Sequence, residues 1–134
     1  KEINIEKSEI YSNEQINFIN KSADFIKTKL TNVKFYLWSN DFTNLKKENL
    51  KFDYKTVDIT NSNNNFDKRA LNLFLLSSCK HFIVTPSTFN WWGAWLGNDT
   101  KKMVIRPNDN FFSLFKVNNI DFWPDNWIEI NEKF

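Results

Sequence analysis

Segments of helical periodicity alternate along this chain with short runs of β-branched and aromatic residues. This alternation is typical of a parallel sheet, because parallel neighbours need a crossover connection that is usually a helix. The sequence therefore predicts an α/β fold, with a Rossmann-like, mainly parallel sheet and helices on both faces. The expected helices cover about 12–30, 41–49, 68–79 and 89–96, and the expected strands cover 33–38, 56–59, 81–85 and 103–105.

Capping residues set several of the predicted boundaries. A capping box at 12–15 starts the first helix, Asp67 caps the third, and Gly97 ends the fourth as a C-cap. The first ten residues are expected to form an edge strand or an irregular entry segment, and no strand is assigned after Pro107. At 134 residues, the chain is predicted to form a single domain spanning 1–134.

Composition excludes several classes of protein. Lysine and arginine number 18 against 16 acidic residues, and they are scattered, so no nucleic-acid partner is expected. The single cysteine, Cys79, excludes an intrachain disulfide and a cysteine-cluster zinc site. No apolar run is long enough to span a membrane. A reduced cytoplasmic setting is the default expectation, and peripheral attachment to the inner membrane stays an open alternative.

Two joints between a strand and the following helix are candidates for ligand binding, namely 39–41 and 86–89. Ligands of parallel α/β sheets bind at the carboxyl ends of strands. At the second joint, the hydroxyls of Ser87 and Thr88, with the free amides of the helix, suit an anion such as a diphosphate. The structural alternative is that Ser87 only caps the helix. Trp91 and Trp95 are expected to pack against the sheet, and Gly93 to allow that close packing.

Three further residues have both structural and functional interpretations. His81 is the only histidine, but it begins a buried strand, which favours a structural role over that of a base. Cys79, at a helix end, is expected to be an inert packing residue. Asp41 could either contact a ribose or cap its helix, and the sequence does not separate the two.

The segment that holds the second joint resembles a known family. HFIV at 81–84 and STFNWWGAWL at 87–96 are similar to the pattern HxIIxxSSFSWWGAWL of the α-1,2-fucosyltransferases of glycosyltransferase family 11. Further similarity covers roughly residues 15–130. It includes KFYLWSND at 34–41, KENL at 47–50, LSSCKH at 76–81 and PDNWI at 124–128.

The resemblance implies a galactoside 2-α-L-fucosyltransferase that transfers fucose from GDP-fucose with inversion and without a metal ion or other cofactor. This chain would be the C-terminal, donor-binding half of a GT-B enzyme, and its partners would be GDP-fucose, a galactose-containing glycan and the N-terminal domain. The family's HxRxxDY motif is absent from these residues, so the chain alone is expected to be inactive. The donor-binding residues implied are Ser39, Asn40, Asp41, Asn72, Ser87, Thr88 and Phe89.

Two departures from the family pattern concern the nucleotide. Asn72 stands where the family commonly has an aspartate that recognises guanine, and Asn40 replaces the first of two aspartates. An amide offers only one acceptor oxygen to the two guanine N–H groups, so selectivity for guanine is in question. The alternative function is a non-catalytic nucleotide- or carbohydrate-binding module, in which exposed Trp91 and Trp92 would stack on sugar. A receiver-like signalling domain is disfavoured, because no acidic pair accompanies Asp41.

Overall fold

Each strand pairing that the computed structural model describes in this protein is parallel. The structure describes residues 5–39, 41–43, 45–59, 67–109 and 120–130, with side chains from residue 12 onward. The elements are α1 (Ile5–Lys29), β1 (Phe35–Leu37), a 3₁₀ helix (Lys47–Asn49), β2 (Tyr54–Thr56), α2 (Lys68–Ser77), β3 (Phe82–Ile83), α3 (Thr88–Leu96), β4 (Val104–Pro107) and β5 (Ile128–Ile130).

The strands form two parallel sheets, β1–β2 and β3–β4–β5. Side chains alternate between the two faces of the larger sheet, as the period of a strand requires. Phe82, Val84 and Val104 pack with Ala94 of α3 in one core, which we call the α3-side core. Ile83 and Ile105 pack on the other face, in the α1-side core. The α1-side core also contains Phe18, Ile26, Phe35, Ile128 and Ile130. Helices therefore cover both faces, and the predicted α/β fold is confirmed.

Several predicted boundaries were wrong. The first helix begins at Ile5 and not at Ser12, because good helix formers precede the capping signal and continue the helix through it. The helix expected over 41–49 is reduced to the single 3₁₀ turn. Here Asp41 and Asn49 accept hydrogen bonds from nearby backbone amides, and such bonds compete with helix formation.

The second strand lies two residues earlier than predicted, at 54–56 in place of 56–59. Its register pairs Phe35 with Tyr54, and the ring of Phe52 bridges them, with centroids 4.5 Å from Phe35 and 6.1 Å from Tyr54. Packing of these rings therefore accompanies the observed register. A strand that was not predicted, β5, pairs Ile105 with Ile128 and joins the aromatic-rich tail to the sheet.

Asn20 connects α1 to the loop after the 3₁₀ helix. Its side chain is buried, donates to the carbonyl oxygen of Asn49 at 2.9 Å and accepts from the amide of Lys51 at 2.8 Å. Both halves of the amide are therefore satisfied by backbone groups about 30 residues away. Ser22 lies two residues further along α1, is fully buried, and its hydroxyl has no hydrogen-bond partner among the described residues.

Candidate functional site

The joint between β3 and α3 has the geometry of a helix start with unused polar groups. Ser87 is the N-cap residue, in an extended conformation, and its carbonyl oxygen accepts from the amide of Trp91 at 2.9 Å. Its hydroxyl makes no capping hydrogen bond. The predicted position of Ser87 at the helix start is confirmed, its side chain supplies no capping bond, and its role in anion binding remains a prediction. The amides of the first turn lack intrahelical partners, as at any helix start.

The side chain of Asn90 fixes the joint from within the helix. Its amide nitrogen donates to the hydroxyl of Thr85 at 2.7 Å, and both side chains are partly buried. The amide of Ser87 also donates to the carbonyl oxygen of Thr85 at 2.6 Å, which closes a tight turn ahead of the helix. This pair was not predicted, because it joins a side chain of the loop after β3 to one inside α3.

A pocket of about 250 Å³ lies beside the first turn of α3. Its walls are Thr88, Trp91, Trp92, Asp121 and Phe122. The last two belong to the tail, which is held on α3 because the indole N–H of Trp91 donates to the carbonyl oxygen of Phe122 at 2.7 Å. Asp121 has a left-handed backbone with φ of 61°, which aspartate tolerates better than most residues. Sequence reasoning missed Asp121 and Phe122, since nothing local links them to α3.

The tryptophans of α3 have different environments. Trp91 packs against the α3-side core and lies 5.6 Å from the ring of Trp127, centroid to centroid. Trp92 and Trp95 are 51% and 52% exposed. The expectation that Trp95 packs against the sheet is therefore wrong: its ring stacks on the outside of Trp91, with centroids 5.2 Å apart. Of the two rings proposed to stack on sugar in a binding module, one is exposed and one is not.

Both glycines of the segment serve close packing. A Cβ on Gly93 would lie 2.6 Å from Cγ of Leu76, so Gly93 lets α3 approach α2, and the expected contact with the sheet is wrong. A Cβ on Gly97 would lie 2.7 Å from Cζ of Phe82. Gly97 ends the helix as predicted, but with φ of −58°, so close approach to a ring, and not a left-handed conformation, accounts for glycine there.

The C-terminus of α3 is held by one cation. The ammonium group of Lys102 donates to the carbonyl oxygens of Ala94, Trp95 and Gly97 at 2.8, 3.1 and 2.8 Å. These carbonyls belong to the end of the helix, where no further turn can supply donors. A positive charge at that end is also favoured by the helix dipole. The orientation of α3, and hence of its first turn, is thus fixed from both ends.

The other predicted donor-binding residues lie on different elements. Asn72 lies on α2, and its side-chain oxygen is buried without a hydrogen-bond partner among the described residues. Ser39 and Asp41 follow β1, and the Ser39 hydroxyl donates to the Asp41 carbonyl oxygen at 2.7 Å. Hydrogen bonds from the hydroxyl and then the amide of Thr43 lower the pKa of Asp41. Asn40 lies outside the described residues. Their role in donor binding remains a prediction.

Arg106 is the arginine at the carboxyl end of β4, on the face that carries α3. Its guanidinium contacts the carboxylate of its cross-strand neighbour Glu129 at 2.8 Å and that of Asp109 at 3.5 Å. It also lies 5.9 Å from the ring centroid of Trp123. The charge of this partly buried cation is therefore compensated by two carboxylates. The ion pair with Glu129 has a structural role, because it holds β5 on β4.

The structural interpretations of two residues are confirmed. The ring nitrogen Nδ1 of His81 accepts from the amide of Met103 at 3.1 Å, which ties the start of β3 to the segment before β4. Burial raises the pKa of the Cys79 thiol, which keeps it protonated and unreactive. Across the described ranges, no three acidic, histidine or cysteine side chains gather as metal ligands. None of the helices described there has both the length and the hydrophobicity of a membrane span.

The comparisons with known proteins define the class. The family model described as glycosyl transferase family 11 matches residues 3–131, and the chain belongs to this family. The predicted family is confirmed.

This chain matches two relatives from Escherichia coli, each over only part of the relative's length. An alpha-1,2-colitosyltransferase is 26% identical over 111 residues, which are 83% of this chain and 37% of that protein. The O-antigen biosynthesis glycosyltransferase WbnK is 35% identical over 69 residues, which are 52% of this chain and 22% of that protein. The chain thus spans about a third or less of the relatives it matches. No solved structure shows a significant match.

Proposed function

We propose that this chain is the donor-binding half of a galactoside 2-α-L-fucosyltransferase. In this proposal, GDP-fucose supplies the fucosyl group, a galactose hydroxyl of a glycan accepts it, and the configuration at the anomeric carbon inverts without a metal ion. The observation that carries the proposal is the first turn of α3, where the unused hydroxyl of Ser87 and the exposed Thr88 lie beside a pocket in a family 11 glycosyltransferase.

The diphosphate of the donor would bind at the amides and hydroxyls of Ser87, Thr88 and Phe89. A helix start carries about half a positive elementary charge and points unpaired N–H groups outward. This electrostatic field is fixed before the reaction, because Asn90 holds the turn and Lys102 holds the far end of the helix. The joint could therefore stabilise charge on a diphosphate without rearrangement.

Inversion needs a single in-line displacement. The acceptor oxygen forms a bond to the anomeric carbon as the bond from that carbon to the diphosphate oxygen breaks, and the electron pair of the breaking bond goes to GDP. The proton of the acceptor hydroxyl passes to a base, and the transition state is oxocarbenium-like, as in inverting glycoside hydrolysis. The amides of the α3 start would stabilise the leaving diphosphate as its negative charge grows.

The proposal also specifies which sugar the nucleotide donor carries. One relative is named for transfer of colitose, which is fucose without its 3-hydroxyl group, so a nucleotide-activated colitose is the second candidate donor. Both donors would place a deoxy sugar beside the same helix start. The site for the acceptor and the general base would lie outside these residues, and we expect no transfer by this chain alone. A cytoplasmic location, with peripheral attachment to the inner membrane as the alternative, stays a prediction.

Titration of GDP by calorimetry tests the diphosphate site. The double variant Ser87→Ala/Thr88→Val removes both hydroxyls and keeps the amides, so GDP affinity should fall by about 5- to 150-fold, the equivalent of roughly 1–3 kcal/mol for hydrogen bonds to a charged group. Thr100→Val removes an exposed hydroxyl outside the joint and should leave affinity unchanged. Equal GDP affinity in the double variant and the wild type would remove the diphosphate role from this turn.

A second titration compares the nucleotides. Asn72→Asp restores a carboxylate that can accept from both guanine N–H groups, so it should favour GDP over ADP more strongly than the wild type does. Because the Asn72 oxygen is buried, this gain requires that guanine reach it after a local movement. An unchanged ratio of GDP to ADP affinity would place guanine elsewhere and leave the diphosphate site intact.

A further inference from the structure

The pocket beside α3 has a chemical character different from that of the neighbouring diphosphate site. Three of its five lining residues are aromatic, and the other two are Thr88, which has a hydroxyl, and Asp121, which has a carboxylate. No cation pairs with this carboxylate among the described residues. A carboxylate repels phosphate, whereas it accepts hydrogen bonds well from neutral hydroxyl groups. The occupant that fits is therefore a neutral molecule with hydroxyls and an apolar face.

The volume of the pocket matches a small ring. At about 250 Å³ it lies below the range of about 300–1,000 Å³ typical of drug-sized ligands. A single pyranose matches this volume, and because the pocket is open to solvent, the rest of a larger ligand could extend out of it. Sugars of galacto configuration, fucose and galactose alike, have one face made of C–H groups, and this face packs well on an indole ring. Trp92, half exposed at the pocket wall, offers such a ring.

The walls of the pocket are held before any ligand binds. Trp91 is fixed on one side by its hydrogen bond to Phe122 and on the other by the stacked ring of Trp95. Trp92 packs edge-on against Trp91, with centroids 5.1 Å apart and planes at 77°. Asp121 adopts a sparsely populated left-handed backbone conformation with φ of 61°. Ligand binding would therefore require little ordering of these groups.

We infer that this pocket is a pyranose subsite, in which Trp92 stacks on the C–H face of a galacto-configured sugar and Asp121 accepts a hydrogen bond from one of its hydroxyls. The inference rests on the proposed function for the source of the sugar. Because Thr88 belongs both to the pocket and to the first turn of α3, a sugar attached to a diphosphate at that turn would reach the pocket directly. This position favours the fucosyl group of the donor over the acceptor galactose.

Calorimetric titrations of the 134-residue chain with GDP, GDP-fucose and methyl β-galactoside separate these roles. In the wild type, GDP-fucose should bind about tenfold more tightly than GDP, the size expected from one aromatic stacking contact and one hydrogen bond. Trp92→Ala and Asp121→Asn should abolish that difference and leave GDP affinity unchanged. Trp92→Phe keeps a ring and should retain part of it, and asparagine tolerates the backbone at 121. The control Phe74→Ala removes an exposed ring of α2 and should behave as wild type.

The outcomes distinguish the inference from the proposed function. If GDP binds but neither sugar adds affinity that depends on Trp92 and Asp121, the subsite is overturned and the diphosphate site stands. If the galactoside, and not the fucosyl group, shows this dependence, the subsite stands and its sugar is the acceptor's. If GDP does not bind while a sugar binds through Trp92, the proposed donor is overturned and the subsite stands. Circular dichroism of each variant confirms that the fold is retained.

Discussion

Substitution of Gly93 by alanine adds one methyl group, which has two opposing effects on the free energy of unfolding. In an exposed helix interior, Gly→Ala stabilises by about 1 kcal/mol, because alanine loses less backbone entropy. Here the new Cβ would lie 2.6 Å from Cγ of Leu76, about 1 Å closer than carbon atoms at optimal contact. Since the contact reaches the branch carbon, rotation of the end of the leucine side chain does not relieve it. Overpacking of this kind costs about 1–3 kcal/mol. The gain in propensity offsets part of this cost, so we expect Gly93→Ala to lower the free energy of unfolding by up to about 2 kcal/mol.

The same substitution made in a Leu76→Ala background provides the control. In Leu76→Ala the obstructing side chain is gone, so adding Gly93→Ala should stabilise by about 1 kcal/mol, as intrinsic helix propensity requires. Urea unfolding followed by circular dichroism gives the four free energies of this double-mutant cycle, and the coupling between the sites should be about 1–3 kcal/mol, which is the overpacking cost. Stabilisation by Gly93→Ala in the wild-type background, or the same effect in both backgrounds, would refute close packing of α3 on α2 as the reason for glycine.

Two other predictions concern the elements that hold α3 and α1. Lys102→Met removes the cation that binds three helix-end carbonyls and should cost about 1–2 kcal/mol after allowance for partial exposure, whereas exposed Lys101→Met should stay within about 0.5 kcal/mol of wild type in the same urea unfolding assay. A similar loss in both would show that the clamp contributes nothing. Asn20→Ala leaves two partly buried backbone groups without partners and should cost about 1–2 kcal/mol, whereas Ser22→Ala removes an unpaired buried hydroxyl and should be neutral or slightly stabilising in thermal melts. Equal melting temperatures for these two variants would contradict the hydrogen-bonding account of α1.

The arrangement of helices on both faces of a parallel sheet could be predicted, because the hydrophobic periodicity and the residue types indicate the same elements along most of the chain. Alternation within 82–84 and 104–105 sends successive side chains to opposite cores, as a strand in a two-sided sheet requires. The exact ends of elements depend on competing bonds that a pattern does not reveal. Ser12 looked like a helix start, but the residues before it are equally good helix formers. The β5 strand was missed because Ile128–Ile130 is short and pairs only through tertiary contact with Ile105.

The site was predictable only where it is local. The position of Ser87 and Thr88 at a helix start follows from the turn residues that precede them, and the family of the chain follows from the tryptophan-rich segment beside them. The pocket does not follow from either, because Asp121 and Phe122 lie about 30 residues further along and reach α3 through the hydrogen bond from Trp91. Long-range pairing of this kind leaves no periodic signal in the sequence.

The tryptophan-rich segment combines two tasks that sequence reasoning treated as alternatives. Trp91 is partly buried against the α3-side core, and the same ring forms a wall of the pocket and holds the tail through its N–H. Trp92 and Trp95 remain half exposed, so packing in the core of the described residues does not account for these two rings. Trp95 contributes by stacking on Trp91, and Trp92 by facing the pocket. A helix that must be rigid for packing and aromatic for a sugar can meet both demands with one run of residues, because rotation of 100° per residue sends neighbouring tryptophans to different surroundings.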